Sequence, residues 1–311
     1  MLSRTARSLF WLGRHVERAD FIARLMEAAY RFEALPQPDP NSGWRSAVAS
    51  SGTGGLFDEY GIVANRDTVT HFLSLDADNP SSIRSCLDKA RFDARVVRTA
   101  LTRETFETLN QSWIELQSRI RHVDRPIDIQ MLIERVKQEV RNFEGAIWRT
   151  LVRSENFWFI RLGVVIERAD NTARLLDVKY HTLLPEGEDV GGALDQAQWT
   201  AVLRSVSAVT AYRHIYRQNL KPWLIADLLL LKEEIPRSLC HCMDVASEYL
   251  HDLRAQHSRV GPADRLARRM SDKLKTTTIE EVYDSGLHQF LQDFISENNR
   301  LSNEIAEQFS F

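Results

Sequence analysis

Apolar residues recur at three- and four-residue spacing through most of this chain, the pattern of helices that bury one face. The stretches that carry it are 3–33, 80–101, 104–122, 128–153, 156–184, 196–217, 237–257 and 279–308. Asn79 before Pro80 has the form of an N-cap with proline at the first helical position, and Thr278 with Glu281 has capping-box spacing. Glycine, proline and serine gather at 35–55 and at 185–192, which read as loops leaving two long helices. No run alternates apolar and polar residues between turn signals as a half-buried strand would. The expected fold class is all-α, a helical bundle.

The polar positions inside those helices repeat. Residues 10–30 and 160–180, set at an offset of 150, match at Leu12/Leu162, Gly13/Gly163, Glu17-Arg18-Ala19-Asp20 against Glu167-Arg168-Ala169-Asp170, Ala23/Ala173, Arg24/Arg174, Leu25/Leu175 and Tyr30/Tyr180. That is ten identities in 21 positions, where composition alone would give roughly one or two. A second block, Pro80-Ser81-Ser82 through Ala90, pairs with Pro236-Arg237-Ser238 through Ala246, and each copy follows an apolar stretch. A repeat of about 150 residues is too long for a solenoid unit. Two pseudo-repeated halves are expected, 1–153 and 154–311, packed as one body because no long linker separates them.

Composition narrows the partners. Forty lysines and arginines against 43 acids leave a net charge of −3, with no electrostatic footprint for nucleic acid. The basic run from Arg259 to Lys275 reads as a solvated helix face. No apolar run is long enough to span a bilayer, and the first helix begins without a long apolar leader. Three cysteines, Cys86, Cys240 and Cys242, lack a framework spacing and fit reduced thiols in a cytoplasmic protein. Neither a nucleic-acid nor a membrane partner is expected; a homo-oligomer is compatible with all of this.

At 100° per residue, Gly13, Glu17, Asp20, Arg24 and Glu27 share one stripe, as do Gly163, Glu167, Asp170, Arg174 and Asp177. Leu12, Ala19, Ala23, Met26 and Tyr30 lie opposite, while Arg18 and Arg168 flank the stripe, within reach of a neighbouring helix. A solvated ion pair contributes about 0–1 kcal/mol, too little to require both signs in register twice. Glycine inside a helix costs about 1 kcal/mol relative to alanine and permits close backbone approach. The two repeated helices are therefore expected to cross near Gly13 and Gly163, with their charges partly buried and paired. A ligand site and a plain solvent face are the competing readings. Glu17, Asp20, Glu167 and Asp170 would suit a di-metal bundle, but aspartate stands where such sites place histidine, and arginines share the stripe, so no metal is expected. Arg91, Arg95 and Arg98 form a row at i, i+4, i+7 that would hold phosphate or carboxylate, or else pair with Asp88 and Asp93 on the surface. Walker, Rossmann and nucleophile-elbow motifs are absent, so no cofactor is expected and catalytic residues stay unassigned.

Several ordered blocks resemble the bacterial alpha-E family: Leu2-Ser3-Arg4, Leu9-Phe10-Trp11-Leu12-Gly13-Arg14, Glu17-Arg18-Ala19-Asp20, Asn79-Pro80-Ser81-Ser82-Ile83, Phe143-Glu144-Gly145-Ala146, Ile166 through Thr172, and Pro236-Arg237-Ser238. Arg7, His15, Asp20-Phe21 and Lys232 depart from that family's usual glutamate, tyrosine, Glu-Asn and aspartate. The resemblance implies partners: a circularly permuted ATP-grasp protein and a transglutaminase-like protease, a setting for peptide ligation in which a carboxylate is activated as an acyl phosphate. The implied role is a non-catalytic helical accessory protein that binds the ligase or its substrate through the repeated helices. Glu17, Asp20, Glu167 and Asp170 would then hold an amine, and Arg24, Arg174, Arg91, Arg95 and Arg98 an activated carboxylate or phosphate, with Arg18 and Arg168 as further ligand- or partner-binding residues. The alternatives are an acyl or aminoacyl transferase that uses the acidic stripe as general base, and a purely structural scaffold. Arginine neighbours depress carboxylate pKa values, which counts against the transferase.

Overall fold

Each copy of the repeated sequence forms one long helix, and the rest of the chain is arranged around that pair. The computed structural model describes residues 2–35, 39–120, 128–181, 192–257 and 261–311. The first half holds α1 (Ser3–Glu33), α2 (Ser42–Ser50), α3 (Gly54–Glu59), α4 (Arg66–Ser74), α5 (Ile83–Val96), α6 (Arg103–Ile120) and α7 (Ile129–Thr150). The second holds α8 (Glu155–His181), α9 (Ala193–Ser205), α10 (Val209–Tyr216), α11 (Pro222–Leu231), α12 (Leu239–His257), α13 (Pro262–Thr276), α14 (Ile279–Ser285) and α15 (Leu287–Gln308). Among the described residues there are no strands, and the fold is all-α.

The order of neighbours runs in parallel along the two halves. α1 touches α5 and α7, α5 touches α6, and α6 touches α7; likewise α8 touches α12 and α15, α12 touches α13, and α13 touches α15. α1 and α8 share the most extensive interface, and α2 and α9 each contact both of them. Both central helices are apolar or buried on nearly every side. In α1 even Arg14, His15, Glu17, Asp20, Arg24 and Glu27 are withdrawn from solvent alongside Leu9, Leu12, Ile22 and Leu25. A helix buried all round cannot present its charges to water, so their partners must come from within the chain.

Several sequence expectations shift. The segment 35–55 is not a bare loop: it contains α2, whose Trp44 is fully buried, and the start of α3. Its glycine and serine content hides a nine-residue helix that contacts with α1 and α8 stabilise, where local propensity would not. Asn79 does not cap a helix beginning at Pro80. Ser82 is the N-cap, its hydroxyl accepting from Ser85 N, while Asn79 is buried, accepting from Ser81 N and donating to the Phe72 carbonyl. The single helix expected over 196–217 breaks at Ser207, which has φ +59°. The one over 279–308 starts at the expected Thr278–Glu281 capping box but breaks at Gly286, whose φ of +88° favours glycine. The stretch 80–101 ends as α5 plus one 3-10 turn, Arg98–Ala100. Of the loop read at 185–192, only Gly192, the N-cap of α9, lies within the described residues. The basic run past Arg259 includes α13, whose Arg265, Arg268, Arg269 and Lys273 are exposed.

Candidate functional site: two glutamates clamped by arginines at a helix crossing

α1 and α8 cross where both carry glycine. A β-carbon on Gly13 would run into the Ile160 carbonyl oxygen, and one on Gly163 into that of Phe10. Only glycine allows this approach, and it brings Glu17 and Glu167 within reach of arginines on the opposite helix. Arg168 grips Glu17 with two bonds, Nε to Oε1 at 2.9 Å and Nη2 to Oε2 at 2.7 Å. Arg18 grips Glu167 in the same way, Nε to Oε1 at 2.5 Å and Nη2 to Oε2 at 2.9 Å. Each Glu-Arg dipeptide thus offers its glutamate to one helix and takes the other's with its arginine. One turn further on, Arg24 donates to Asp20 at 2.6 Å and Arg174 to Asp170 at 2.6 Å.

Each glutamate has a second guanidinium, and the two come from different places. Glu17 receives Arg237, which donates Nη1 to Glu17 Oε1 at 2.9 Å and Nη2 to Asp20 Oδ2 at 2.8 Å. Glu167 receives Arg14, Nε to Oε2 at 2.7 Å, and Arg14 also donates to Ser302 Oγ at 2.6 Å. Around the Glu17 pair, Glu144 accepts from Arg161 at 3.0 Å and from Arg168 at 2.6 Å, joining α7 to the network. Arg24 reaches the Ser205 carbonyl at the end of α9, and Lys137 of α7 donates to Glu27 at 2.9 Å.

Burial alone would raise both glutamate pKa values, but the arginine charges and hydrogen bonds overcome it. Arg168 and Arg237 hold Glu17 well below the carboxylate range, and Arg18 and Arg14 hold Glu167 down to about 2. Arg18 and Arg168 are raised in turn, the glutamates outweighing their burial. Both glutamates are therefore ionised and hydrogen-bonded at every physiological pH. Cys86 and Cys242 lie beside these pairs with thiols that burial pushes up to about 12, so neither forms a thiolate nucleophile. Next to the Glu167 pair, burial and then the Arg18 charge lower His15 to about 3, leaving a neutral ring stacked on Trp11. Its Nε2 is 3.7 Å from Asp93, which burial raises to about 6.

The structure brings together Glu17, Arg18, Asp20, Arg24, Glu167, Arg168, Asp170 and Arg174. It places the second arginine group elsewhere. Arg91 lies 4.0 Å over the Trp113 ring and donates to Asn110, Arg98 stacks over Phe106 at 4.5 Å beyond the end of α5, and Arg95 is exposed. Asp88 receives the Trp113 indole N–H instead of an arginine. The sequence, through Arg14 against Val164 and His15 against Val165, pointed to a polar pocket in one copy only, and it assigned no role to Arg237, Glu144 or Arg161. The available signal for Arg237 was its mismatch against Ser81 between the repeats. Among the described residues no group of three or more histidines, cysteines and acids is placed to hold a metal ion, and no helix is long and apolar enough to cross a membrane.

This geometry can be set beside known proteins. Uncharacterised proteins of Mycobacterium bovis and of Mycobacterium tuberculosis strain CDC 1551 are each 22% identical over 329 aligned positions, and one of strain H37Rv is 21% identical. The alignments cover 98% of this chain but 36% of each relative, so the chain spans about a third of the length of the curated relatives it matches. No solved structure matches. Residues 1–309 match the Alpha-E family, described as "a predicted alpha-helical domain with a conserved ER motif", and Glu17-Arg18 and Glu167-Arg168 are the two such dipeptides in the repeated helices. The chain belongs to the Alpha-E family.

Proposed function

We propose that this chain is a non-catalytic helical accessory unit of a peptide-ligating or peptide-modifying system, of the kind that pairs a circularly permuted ATP-grasp protein with a transglutaminase-like protease, and that it binds the ligase or the ligase's substrate. The observation that carries this reading is the state of the motif acids. A general base works best with a pKa near the operating pH, whereas Glu17 and Glu167 are held far below it, each bonded to two arginines. Acids in that state hold geometry. The match to one segment of longer mycobacterial proteins is in keeping with a unit that works beside further protein. Because the glutamates are fully enclosed, we assign them to the clamp between α1 and α8, and we assign binding to the more open part of the network around it, where Arg18 and Arg174 reach water.

Titration calorimetry between the full chain and a circularly permuted ATP-grasp protein from the same organism, with ATP and acceptor peptide present, tests this. Saturable binding to the ligase or to the peptide is the expected result. Absence of binding to both overturns the reading, and turnover of peptide by the chain alone, without ligase or ATP, replaces it with a transferase.

A further inference from the structure

The two networks grow from the same sequence but are not equally complete. Arg237, the middle residue of Pro236-Arg237-Ser238 ahead of α12, bridges Glu17 and Asp20. The matching residue ahead of α5, in Pro80-Ser81-Ser82, is Ser81, which has no guanidinium to offer. The surroundings correspond as well: Cys242 follows Arg237 on α12 and lies near Arg168 and Glu17, while Cys86 follows Ser81 on α5 and lies near Arg18 and Glu167. Arg14 makes up the loss at Glu167; at Asp170 the Arg18 charge acts from a distance, but among the described residues no second arginine is hydrogen-bonded or ion-paired to it. Asp20 is held by both Arg24 and Arg237, whereas the ion pair of Asp170 is with Arg174 alone among the described residues. The Asp170 side chain is 9% exposed, and its Oδ1 is buried without a hydrogen-bond partner. A buried carboxylate oxygen lacking a donor is costly and calls for one.

The same side of the crossing is also the open side. Arg18 and Arg174 are 25% and 24% exposed, against 8% each for Arg168 and Arg24. Each is tied down at Nε, and Arg18 also at Nη2, on a long flexible stem that can move aside at little cost. Water also screens their charges, so a further cation beside Asp170 meets less repulsion than full burial would impose.

We propose that the Asp170 side of the crossing is a binding site for a guanidinium group brought by another molecule, an arginine side chain of a peptide or partner protein, which takes beside Asp170 the position that Arg237 takes beside Asp20. This deepens the accessory reading above and rests on it, naming arginine as the feature of the ligase or substrate that is recognised. A planar guanidinium supplies charge-assisted donors in the fork geometry that carboxylates accept, as Arg237 does internally. With Glu167 already satisfied by Arg14 and Arg18, Asp170 is the main anchor, so an isolated arginine derivative binds weakly and a longer segment binds more tightly.

The test is titration of N-acetylarginine methylamide into the full chain, followed by NMR, beside the matching lysine and citrulline derivatives. Saturable binding with Kd on the order of millimolar is expected for the arginine probe, with citrulline at least about tenfold weaker. Ser81→Arg, which would supply the internal guanidinium, is expected to abolish probe binding and raise Tm. Asp170→Asn, checked for folding by circular dichroism, is expected to weaken the probe at least about tenfold and serves if Ser81→Arg does not fold. No saturable binding to the wild type, equal binding by lysine or citrulline, or undiminished binding to a folded Asp170→Asn variant overturns the proposal. Ligase binding is measured on the same samples. If the ligase or its peptide binds while the probe does not, the guanidinium site falls and the accessory reading stands; if neither the ligase nor its peptide binds, the accessory reading falls on its own evidence.

Discussion

Around Glu17, arginines from α8, from α1 and from the turn before α12 converge with Glu144 of α7, and its Arg168 and Arg24 are almost wholly enclosed. Around Glu167, Arg18 and Arg14 do the work of Arg168 and Arg237, but Asp170 keeps one arginine and the outer guanidinium groups reach water. The two sites share motif, crossing point and clamp geometry, so those features belong to the sequence that α1 and α8 have in common. What differs comes from two side-chain exchanges, Arg14 for Val164 and Ser81 for Arg237. One copy is closed as a structural joint and the other is left accessible. Removing a partner from a buried pair costs several times more than removing an exposed one, so the comparison makes graded predictions.

The largest effect should be the same on both sides. Gly13→Val and Gly163→Val each push a side chain into a carbonyl oxygen of the opposite backbone, where no rotamer gives relief. Each is expected to cost at least about 3 kcal/mol or to prevent folding, measured by urea unfolding. A clear difference between the two would show that the crossing is not shared as the pair of close approaches indicates.

The glutamates should separate the sites. Glu17→Ala strands Arg168, 8% exposed, while Arg237, 18% exposed, keeps Asp20; it is expected to cost about 3–5 kcal/mol. Glu167→Ala strands Arg14, 7% exposed and left with Ser302, but leaves Arg18, a quarter exposed, free to turn to water, and is expected to cost about 1 kcal/mol less. Equal losses would mean that the difference in exposure has no energetic consequence.

How much of this the sequence revealed follows from where each partner lies along the chain. The crossing was legible because each Glu-Arg dipeptide follows, by four residues, a glycine inside strongly helical sequence, where alanine would be more stable unless another backbone had to come close. The i,i+4 pairs Asp20–Arg24 and Asp170–Arg174 were legible because helix geometry alone sets them side by side. Arg237 was not: it lies 220 positions from Glu17 and becomes a partner only once α12 has packed on α8. Glu144 likewise joins from α7, and α2 was hidden because tertiary contacts, not propensity, stabilise a short glycine- and serine-containing helix. The row Arg91, Arg95, Arg98 looked like an anion site because spacing says nothing of the aromatic rings on α6 that two of its members cover.

Acid should also distinguish the sites, because only the Glu167 side carries a histidine, His15 against Val165. His15 is held down to about 3 from its ordinary 6.5, so the unfolded chain takes up a proton that the folded one refuses. Its contribution to stability is complete above pH 6.5 and is lost as the pH falls toward 3, at up to about 1.4 kcal/mol per unit. Asp93, raised to about 6 from 3.8, acts in the opposite sense: the folded chain takes the proton first, and stability is gained as the pH falls from 6 toward 3.8. The two oppose each other over that range. Below it the loss from His15 goes on unopposed by Asp93 and is joined by Glu167, whose stabilisation fades from 4.5 toward about 2, and by Glu17, likewise held down. His15→Val is therefore expected to flatten the fall of Tm between pH 6.5 and 3.5, and parallel curves for variant and wild type would remove His15 from the balance.

The smallest effects belong to the aspartates, where the difference between the sites is sharpest. Asp20→Asn removes the charge that Arg24 and Arg237 share. Arg24 is closed in, its other bond going to the Ser205 carbonyl at the end of α9, so its guanidinium cannot be rehydrated without parting helices, while Arg237, 18% exposed, keeps its bond to Glu17; about 2–3 kcal/mol is expected. Asp170→Asn takes the charge from Arg174 alone, and Arg174 already reaches water. The buried Oδ1 has no hydrogen bond to lose, so about 1 kcal/mol or less is expected by the same unfolding measurement. If Asp170→Asn proved as costly as Asp20→Asn, Asp170 would be held by more than Arg174 and the second site would be as closed as the first. A small cost would leave Asp170 as a buried acid that the fold itself barely requires.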